Sequence, residues 1–223
     1  MPSRQARRTL ENAYRRIGFC RVAGVDEVGR GCLAGPVVVG AVVLDPERHV
    51  PGLRDSKQVT PLGRERLYAQ IVERALGWAV RASEPAEIDE LNVHQASLAA
   101  MRRAVLAIDP LPDLVLVDAF RIPRLPVAQR GVIHGDSRCA AIAAASILAK
   151  VTRDRLMVEL HDRDPRYGFD RHKGYATAEH LAAVSRFGYS EIHRRSFRPP
   201  SLFDTMDEGG GGGRHLRSVP AVR

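Results

Sequence analysis

The chain has 223 residues, 44% apolar and 27% charged, with a formal net charge of +8 and a pI near 10. That length and composition are those of a globular domain that needs no staples, and no apolar run is long enough to span a membrane. The positive balance suits a protein that meets phosphate backbones.

Residues 1–18 are basic but lack the apolar segment of a secretion signal. They are expected to form an N-terminal extension of a cytoplasmic protein. Cys20, Cys32 and Cys139 are odd in number and show no Cys-x-x-Cys spacing. A disulfide framework and a zinc site are therefore not expected, and all three should lie in or near the core. Residues 19–25 and 36–44 are rich in Val and bounded by Gly and Pro, which predicts two antiparallel strands. A loop and a helix follow, with Thr60 as N-cap and Pro61 in the first helical position. Residues 77–84 predict a third strand. Leu91, Leu98, Met101, Val105 and Ile108 fall on one face of a single helix, which Pro110 and Pro112 end.

The continuous apolar run 113–118 predicts a strand buried on both faces. A weaker strand is expected near 128–134, then an Ala-rich helix over 139–161. A last helix is expected over 177–187, stopped by Gly188. The pattern is α/β, a mixed sheet with helices on its faces. Gly209 to Gly213 form a glycine run, so 206–223 is expected to be a disordered tail.

Carboxylates punctuate this pattern. Asp26 and Glu27 stand at the end of the first strand, Asp118 at the end of the fourth, and Asp136 at the start of the Ala-rich helix. Ligand sites of α/β sheets gather beyond strand ends. Converging carboxylates repel one another, and hard oxygen ligands suit Mg²⁺ or Mn²⁺. Adjacent strand residues point to opposite faces, so Asp26 and Glu27 share a site only if the strand loses regularity there, which Gly29 and Gly31 permit. The eight histidines form no competing constellation, and His172 and His193 are expected in solvent. Only Lys57, Lys150 and Lys173 are lysines among 34 basic residues. A compact charge at those places has a use if phosphate is the ligand.

Several ordered stretches, "GVDEVGRGCLAGPVV", "DSKQVT", "IDELNVHQASLAAM", "LVLVDAF", "GDSRCAAIAAASILAKVTRD", "YGFDRHKGYATAEH" and "IHRRSF", resemble type 2 ribonuclease H, the bacterial ribonuclease HII family, over about residues 20–198. The resemblance implies a ribonuclease H-like mixed five-stranded sheet flanked by helices with a C-terminal helical portion, the catalytic domain spanning 19–205. It implies Asp26, Glu27, Asp118 and Asp136 as catalytic ligands of two divalent ions, Mn²⁺ or Mg²⁺, with Asp26 bridging. The implied substrates are RNA/DNA hybrids and duplex DNA carrying single ribonucleotides. Cleavage 5′ of the ribonucleotide would leave a 3′-hydroxyl and a 5′-phosphate, in replication and repair. Gly29, Arg30 and Gly31 would sense the ribose 2′-hydroxyl, Tyr175 would stack on the adjacent sugar, and Ser56, Lys57 and Lys150 would contact phosphate. The enzyme is expected to act as a monomer, away from membranes. One departure stands out: Ala119 follows Asp118 where the family usually has glycine.

Overall fold

Near-continuous apolar runs over Val22–Val28 (β1) and Val37–Leu44 (β2) make two strands with both faces covered, except toward the end of β1. The computed structural model describes residue 6 and residues 8–197. The expected tail at 206–223 lies outside them. The sheet has five strands in the order β3-β2-β1-β4-β5, with β3 Ala75–Ser83, β4 Leu114–Asp118 and β5 Ala128–Val132. The first three strands form an antiparallel meander, while β4 pairs parallel to β1 and β5 parallel to β4. This is the mixed five-stranded sheet expected from the sequence.

Helix α1, Thr9–Arg16, lies within the basic N-terminal stretch, where no element was expected. Its Glu11 is 1% exposed, and Glu11 Oε1 accepts from the Ala141 amide at 2.7 Å. A carboxylate beside free helix amides is favourable, because the first N–H groups of a helix have no internal acceptor. Helix α2, Pro61–Arg74, begins as predicted, with the Thr60 side chain accepting from Gly63 N.

The single helix expected from Leu91 onward is two: α3, Pro85–Leu91, and α4, Val93–Leu106. Asn92 separates them at φ 65°, its side chain accepting from the amides of His94 and Gln95. The Asn side chain tolerates the left-handed region and caps the new helix at once. Leu98, Met101 and Val105 are buried as their spacing predicts, but Leu91 belongs to the preceding helix and is 38% exposed. Asp136 sits in a separate turn, α5, Gly135–Arg138, ahead of the long helix α6, Ala140–Arg163. Two short helices follow: α7, Phe169–His172, and α8, Ala178–Phe187, which ends at Gly188 with φ 75°.

The sheet separates two cores. On one face β1 and β2 pack under α6 and α2, with Leu44, Ile71, Leu116, Ile142 and Leu148 among the buried residues. On the other, Val25, Val39, Val117, Met101 and Val105 lie under α4. A smaller core of Ala34, Met157, Tyr167, Phe169 and Val184 fixes the C-terminal helices. Cys32 and Cys139 are buried as expected, whereas Cys20, two residues before β1, is exposed.

Helix α6 approaches the sheet unusually closely. A Cβ on Gly24 would fall 2.1 Å from the carbonyl carbon of Ala141, and one on Gly40 2.3 Å from the carbonyl oxygen of Ala145. Backbone cannot swing aside as a side chain can, so either substitution must push the helix off the sheet. Gly40→Ala is expected to cost about 1–3 kcal/mol or more, as overpacked cores do. The check is a urea melt, whose midpoint should fall.

Candidate active site

The site lies where β1 outruns its parallel partner. Pairing of β1 with β4 ends at Val25–Val117, while pairing with β2 continues through Val28–Val38. The strand therefore stays regular through Asp26 and Glu27, contrary to the expectation that it breaks there. The two side chains leave on opposite faces: Asp26 on the face of Gly24 toward α6, Glu27 on the face of Val25 toward α4. Asp118 ends β4, and Asp136 lies in α5.

Asp26 is 8% exposed, and its Oδ1 accepts from the Glu27 amide at 2.8 Å. Burial and the neighbouring charges of Glu27 and Asp118 push its carboxyl up to about 8, partly opposed by a hydrogen bond from Ser146. Glu27 is also raised, first by burial and then by Asp118, against the pull of Arg30, whose Nη1 donates to Glu27 Oε1 at 3.0 Å. Asp136 is raised by burial, Asp55 and Asp118, with Lys57 acting the other way. The charge of Asp118 acts on Asp26, Glu27 and Asp136 alike, so the four carboxylates share one field of negative charge. The other oxygen of Glu27, Oε2, is buried and has no partner.

Among the described residues no group of three or more His, Cys, Asp or Glu forms a ready-made metal cage. The side chains are held by protein donors instead: Glu27 by Arg30, and Asp118 by the Gly135 amide at 2.8 Å. The donor set still fits a hard cation. Carboxylates that repel one another gain most from one, and Mg²⁺-type ions complete their shells with water and substrate phosphate.

Gly29, Arg30 and Gly31 follow the strand. Gly29 has φ +91°, and a Cβ there would meet Arg153 Nε at 2.3 Å. Its glycine is therefore required twice over, by backbone angle and by space. Gly31 faces open space. Among the described residues no carbonyl accepts from the amides of Gly29, Arg30 or Gly31. The Arg30 guanidinium points back to Glu27 and lies 4.8 Å from the centroid of Phe120.

Tyr175 is 42% exposed. Burial, chiefly, and its hydrogen bond with the thiol of Cys32 raise its phenol. Lys57 is exposed on the 3₁₀ turn Ser56–Gln58, beside Asp136. The Ser56 hydroxyl points inward, 2.9 Å from that of Ser146, rather than toward solvent where a phosphate would lie. Lys150 is paired with Asp154 at 2.7 Å. It lines a groove of about 700 Å³ with Arg64, Arg155, Arg171 and Lys173.

Sequence reasoning missed the residues that hold these groups. Ser146, behind Asp26, lies in an Ala-rich run that reads as core. Asp55, the cap of the 3₁₀ turn, adds a carboxylate near Asp136. Ala119 takes φ 59°, the left-handed region in which glycine costs nothing and alanine is strained by about 1–2 kcal/mol per residue.

The histidines also differ from expectation. His172, His180 and His193 are buried together, at 8%, 0% and 2% exposure. His172 Nε2 donates to the Tyr167 carbonyl (2.7 Å) and His180 Nδ1 to the Tyr175 carbonyl (2.9 Å). His172 Nδ1 accepts from Gly174 N (3.2 Å) and His193 Nδ1 from Ser190 N (3.0 Å). That leaves His193 Nε2 to donate to His180 Nε2, 3.0 Å away. Each ring nitrogen thus has one role, and the neutral ring fills all of them. An added proton would face another N–H. Burial accordingly lowers His180 and His193 to about 4.

A family comparison identifies what this site belongs to. The ribonuclease HII family model matches residues 23–199. Ribonuclease HII of Nitrosococcus oceani is 54% identical over 183 residues, 82% of this chain and 91% of that one. Ribonuclease HII of Thiobacillus denitrificans is 53% identical over 196 residues, 88% and 95% of the two chains. Among solved structures, ribonuclease H2 from Pyrococcus horikoshii superposes with a TM-score of 0.68 at 27% identity, covering 84% of this chain and 97% of that one. Bst-RNase HIII in complex with Mn²⁺ shares the fold, with a TM-score of 0.64 at 22% identity and coverage of 92% and 74%. Fold and site define a ribonuclease H, an endonuclease acting on RNA paired with DNA. The chain belongs to the ribonuclease HII family.

The neutral histidines make a pH dependence. An unfolded histidine titrates near 6.5 and these two near 4. Their contribution is complete above about pH 6.5 and is lost as pH falls toward 4, where the unfolded chain binds more protons. Melting temperatures of the parent and of His193→Gln, measured from pH 7 to 4.5, should converge on acidification. A constant gap would show that His193 does not titrate on unfolding.

Proposed function

We propose that the chain hydrolyses the RNA strand of RNA/DNA hybrids and cuts 5′ of single ribonucleotides embedded in duplex DNA. The products carry a 3′-hydroxyl and a 5′-phosphate, and the activity serves ribonucleotide removal during replication and repair. The observation that carries the reading is the run of backbone amides at 29–31, without carbonyl acceptors among the described residues, directly after the buried Asp26 and the partly buried Glu27. A 2′-hydroxyl is what distinguishes RNA from DNA at a given position, and it can accept from such amides.

Asp26, Glu27, Asp118 and Asp136 would hold two divalent ions, Mg²⁺ or Mn²⁺. When bound, the ions supply an activated water and stabilisation of the leaving oxygen. The chain's own residues do the rest. Ser146 and the Glu27 amide orient the Asp26 carboxylate. Arg30 holds Glu27 in place. Lys57 offers a point charge to phosphate beside Asp136, and the cationic side of the groove at Lys150 offers more. Ser56 supports Ser146 from behind. Tyr175 presents a half-exposed ring whose hydroxyl is fixed by Cys32, a platform for the sugar next to the scissile bond. No helix among the described residues is long and apolar enough to cross a membrane.

Two measurements test the reading on duplex DNA carrying one ribonucleotide, with and without Mg²⁺. Asp136→Asn keeps the shape of the side chain and removes the charge. Cleavage should fall at least about a thousandfold, as when a key charged contact of a transition state is lost, while substrate binding persists. A variant that cuts at close to the parent rate overturns the metal assignment.

Tyr175→Ala should lower single-turnover cleavage at the lone ribonucleotide far more than it lowers affinity, because the ring acts on the geometry of the reacting bond. Tyr175→Phe keeps the ring and should retain most of the rate. Parent-like cleavage by the alanine variant would make Tyr175 a structural residue.

A further inference from the structure

Arg194 lies outside every helix and strand and is 0% exposed. Its guanidinium reaches three carbonyls. Nε donates to Gly35 O at 2.9 Å and Nη1 to Arg30 O at 2.8 Å. Nη2 donates to Gly29 O at 2.6 Å and again to Gly35 O at 2.8 Å. Arg153, equally buried, lies next to it and donates to the carbonyls of Pro36, Lys173 and Ala34 at 2.9, 2.8 and 3.1 Å. Among the described residues neither arginine forms an ion pair. A buried cation without a carboxylate is a costly way to fill space, so the fork must do something that a hydrocarbon could not.

The planar trans peptide supplies the reason. Within one peptide unit the C=O of residue i and the N–H of residue i+1 point in opposite directions. Drawing the carbonyls of Gly29 and Arg30 onto the interior guanidinium therefore turns the amides of Arg30 and Gly31 outward. Those are two of the three amides that have no carbonyl acceptor among the described residues. Arginine's rigid fork can fix several carbonyl directions at once, which a lysine ammonium cannot. The positive-φ Gly29 gives the backbone the freedom to comply.

We propose that Arg194 is the positioning residue for ribose selectivity. It holds the carbonyls of Gly29 and Arg30 inward and so presents the amides of Arg30 and Gly31 as a fixed pair of donors to a sugar hydroxyl. This rests on the reading that the 29–31 backbone senses the 2′-hydroxyl. Arg153 braces the other side of the same loop and joins it to the Lys173 carbonyl, two residues before Tyr175.

The test uses the full chain and two duplexes, one with a single ribonucleotide and one all-deoxy. Affinity for each is measured in an Asp136→Asn background, where cutting is suppressed, with and without Arg194→Gln or Arg194→Lys. Single-turnover cleavage is measured in the otherwise unaltered chain, and Mn²⁺ binding by calorimetry. Losing the partner of a sugar hydroxyl should cut the ribose preference and the cleavage rate by about tenfold or more in Arg194→Gln. Arg194→Lys should be intermediate, and both should bind Mn²⁺ within about twofold of the parent, since the carboxylates are untouched. If the background protein prefers the ribonucleotide and both variants keep that preference, the role of Arg194 is overturned and the amide reading stands. If the background protein shows no preference, the amide reading itself fails. If neither variant folds cooperatively, Arg194 is structural and the proposal falls.

Discussion

The close seating of α6 on β1 and β2 sets the position of nearly everything else in the site. Gly24 and Gly40 remove the two side chains that would hold helix and sheet apart, and the alanines of α6 remove the rest. Backbone on backbone is a stiff contact, because neither surface has rotamers to relax into. One end of α6 is tethered by Glu11 from the N-terminal helix. About two turns in, Ser146 faces Asp26, and near the middle Arg153 enters the loop after β1. A single helix therefore carries three supports of the site along its length, and its register against β1 decides whether they meet it. That also explains why so alanine-rich a helix carries two buried polar side chains on the face that meets the sheet.

On that rigid base the chain places charges that oppose one another. Asp26 has little solvent and acidic neighbours, and burial first, then Glu27 and Asp118, push its carboxyl up to about 8. Glu27 keeps one oxygen on Arg30 and leaves the other buried without a partner. Such a site is destabilising by itself, since buried polar groups without partners cost free energy. On the proposed reading it becomes favourable when a cation and an anionic substrate arrive together. The cations around it are placed to receive that anion without cancelling the acids outright. Lys57 flanks Asp136, while Lys150 is tied to Asp154 on the groove side.

The sequence was legible wherever a local signal had one meaning. Thr60–Pro61 at the start of α2, the apolar run of β4 and Gly188 at the end of α8 all have the roles their chemistry implies. So does the antiparallel pairing of the first two strands, because a short link favours a hairpin. The break at Asn92 was not legible. The apolar spacing on either side of it is continuous, and only the cap, visible in three dimensions, shows that the helix restarts. The carboxylates could be found because acids at strand ends have few structural uses. Ser146, Arg153 and Arg194 could not, because a serine among alanines or an arginine among arginines has no local mark. Their partners are backbone carbonyls and a side chain up to 165 residues away. The histidines misled for the same reason. Three rings scattered over His172–His193 read as separate polar residues, and only packing makes them one neutral network.

That network and the buried arginines point to one division of labour. The C-terminal helices add no carboxylate to the site, yet they hold the two loops that flank it. His180 holds the Tyr175 carbonyl, His172 receives the Gly174 amide, and the Gly174 carbonyl in turn accepts from Leu33. Arg194 then draws in the carbonyls of Gly29 and Arg30 from the side opposite the sheet. The sheet and α6 position the acids, which any nuclease of this kind requires. The C-terminal portion positions the backbone amides and the tyrosine ring, which have a use only if the sugar matters. On the proposed reading, chemistry and sugar selectivity are built on separate packing units, the large core beneath α6 and the small one around Tyr167 and Phe169. They meet at Gly29, where the loop backbone passes over Arg153 too closely for any other residue.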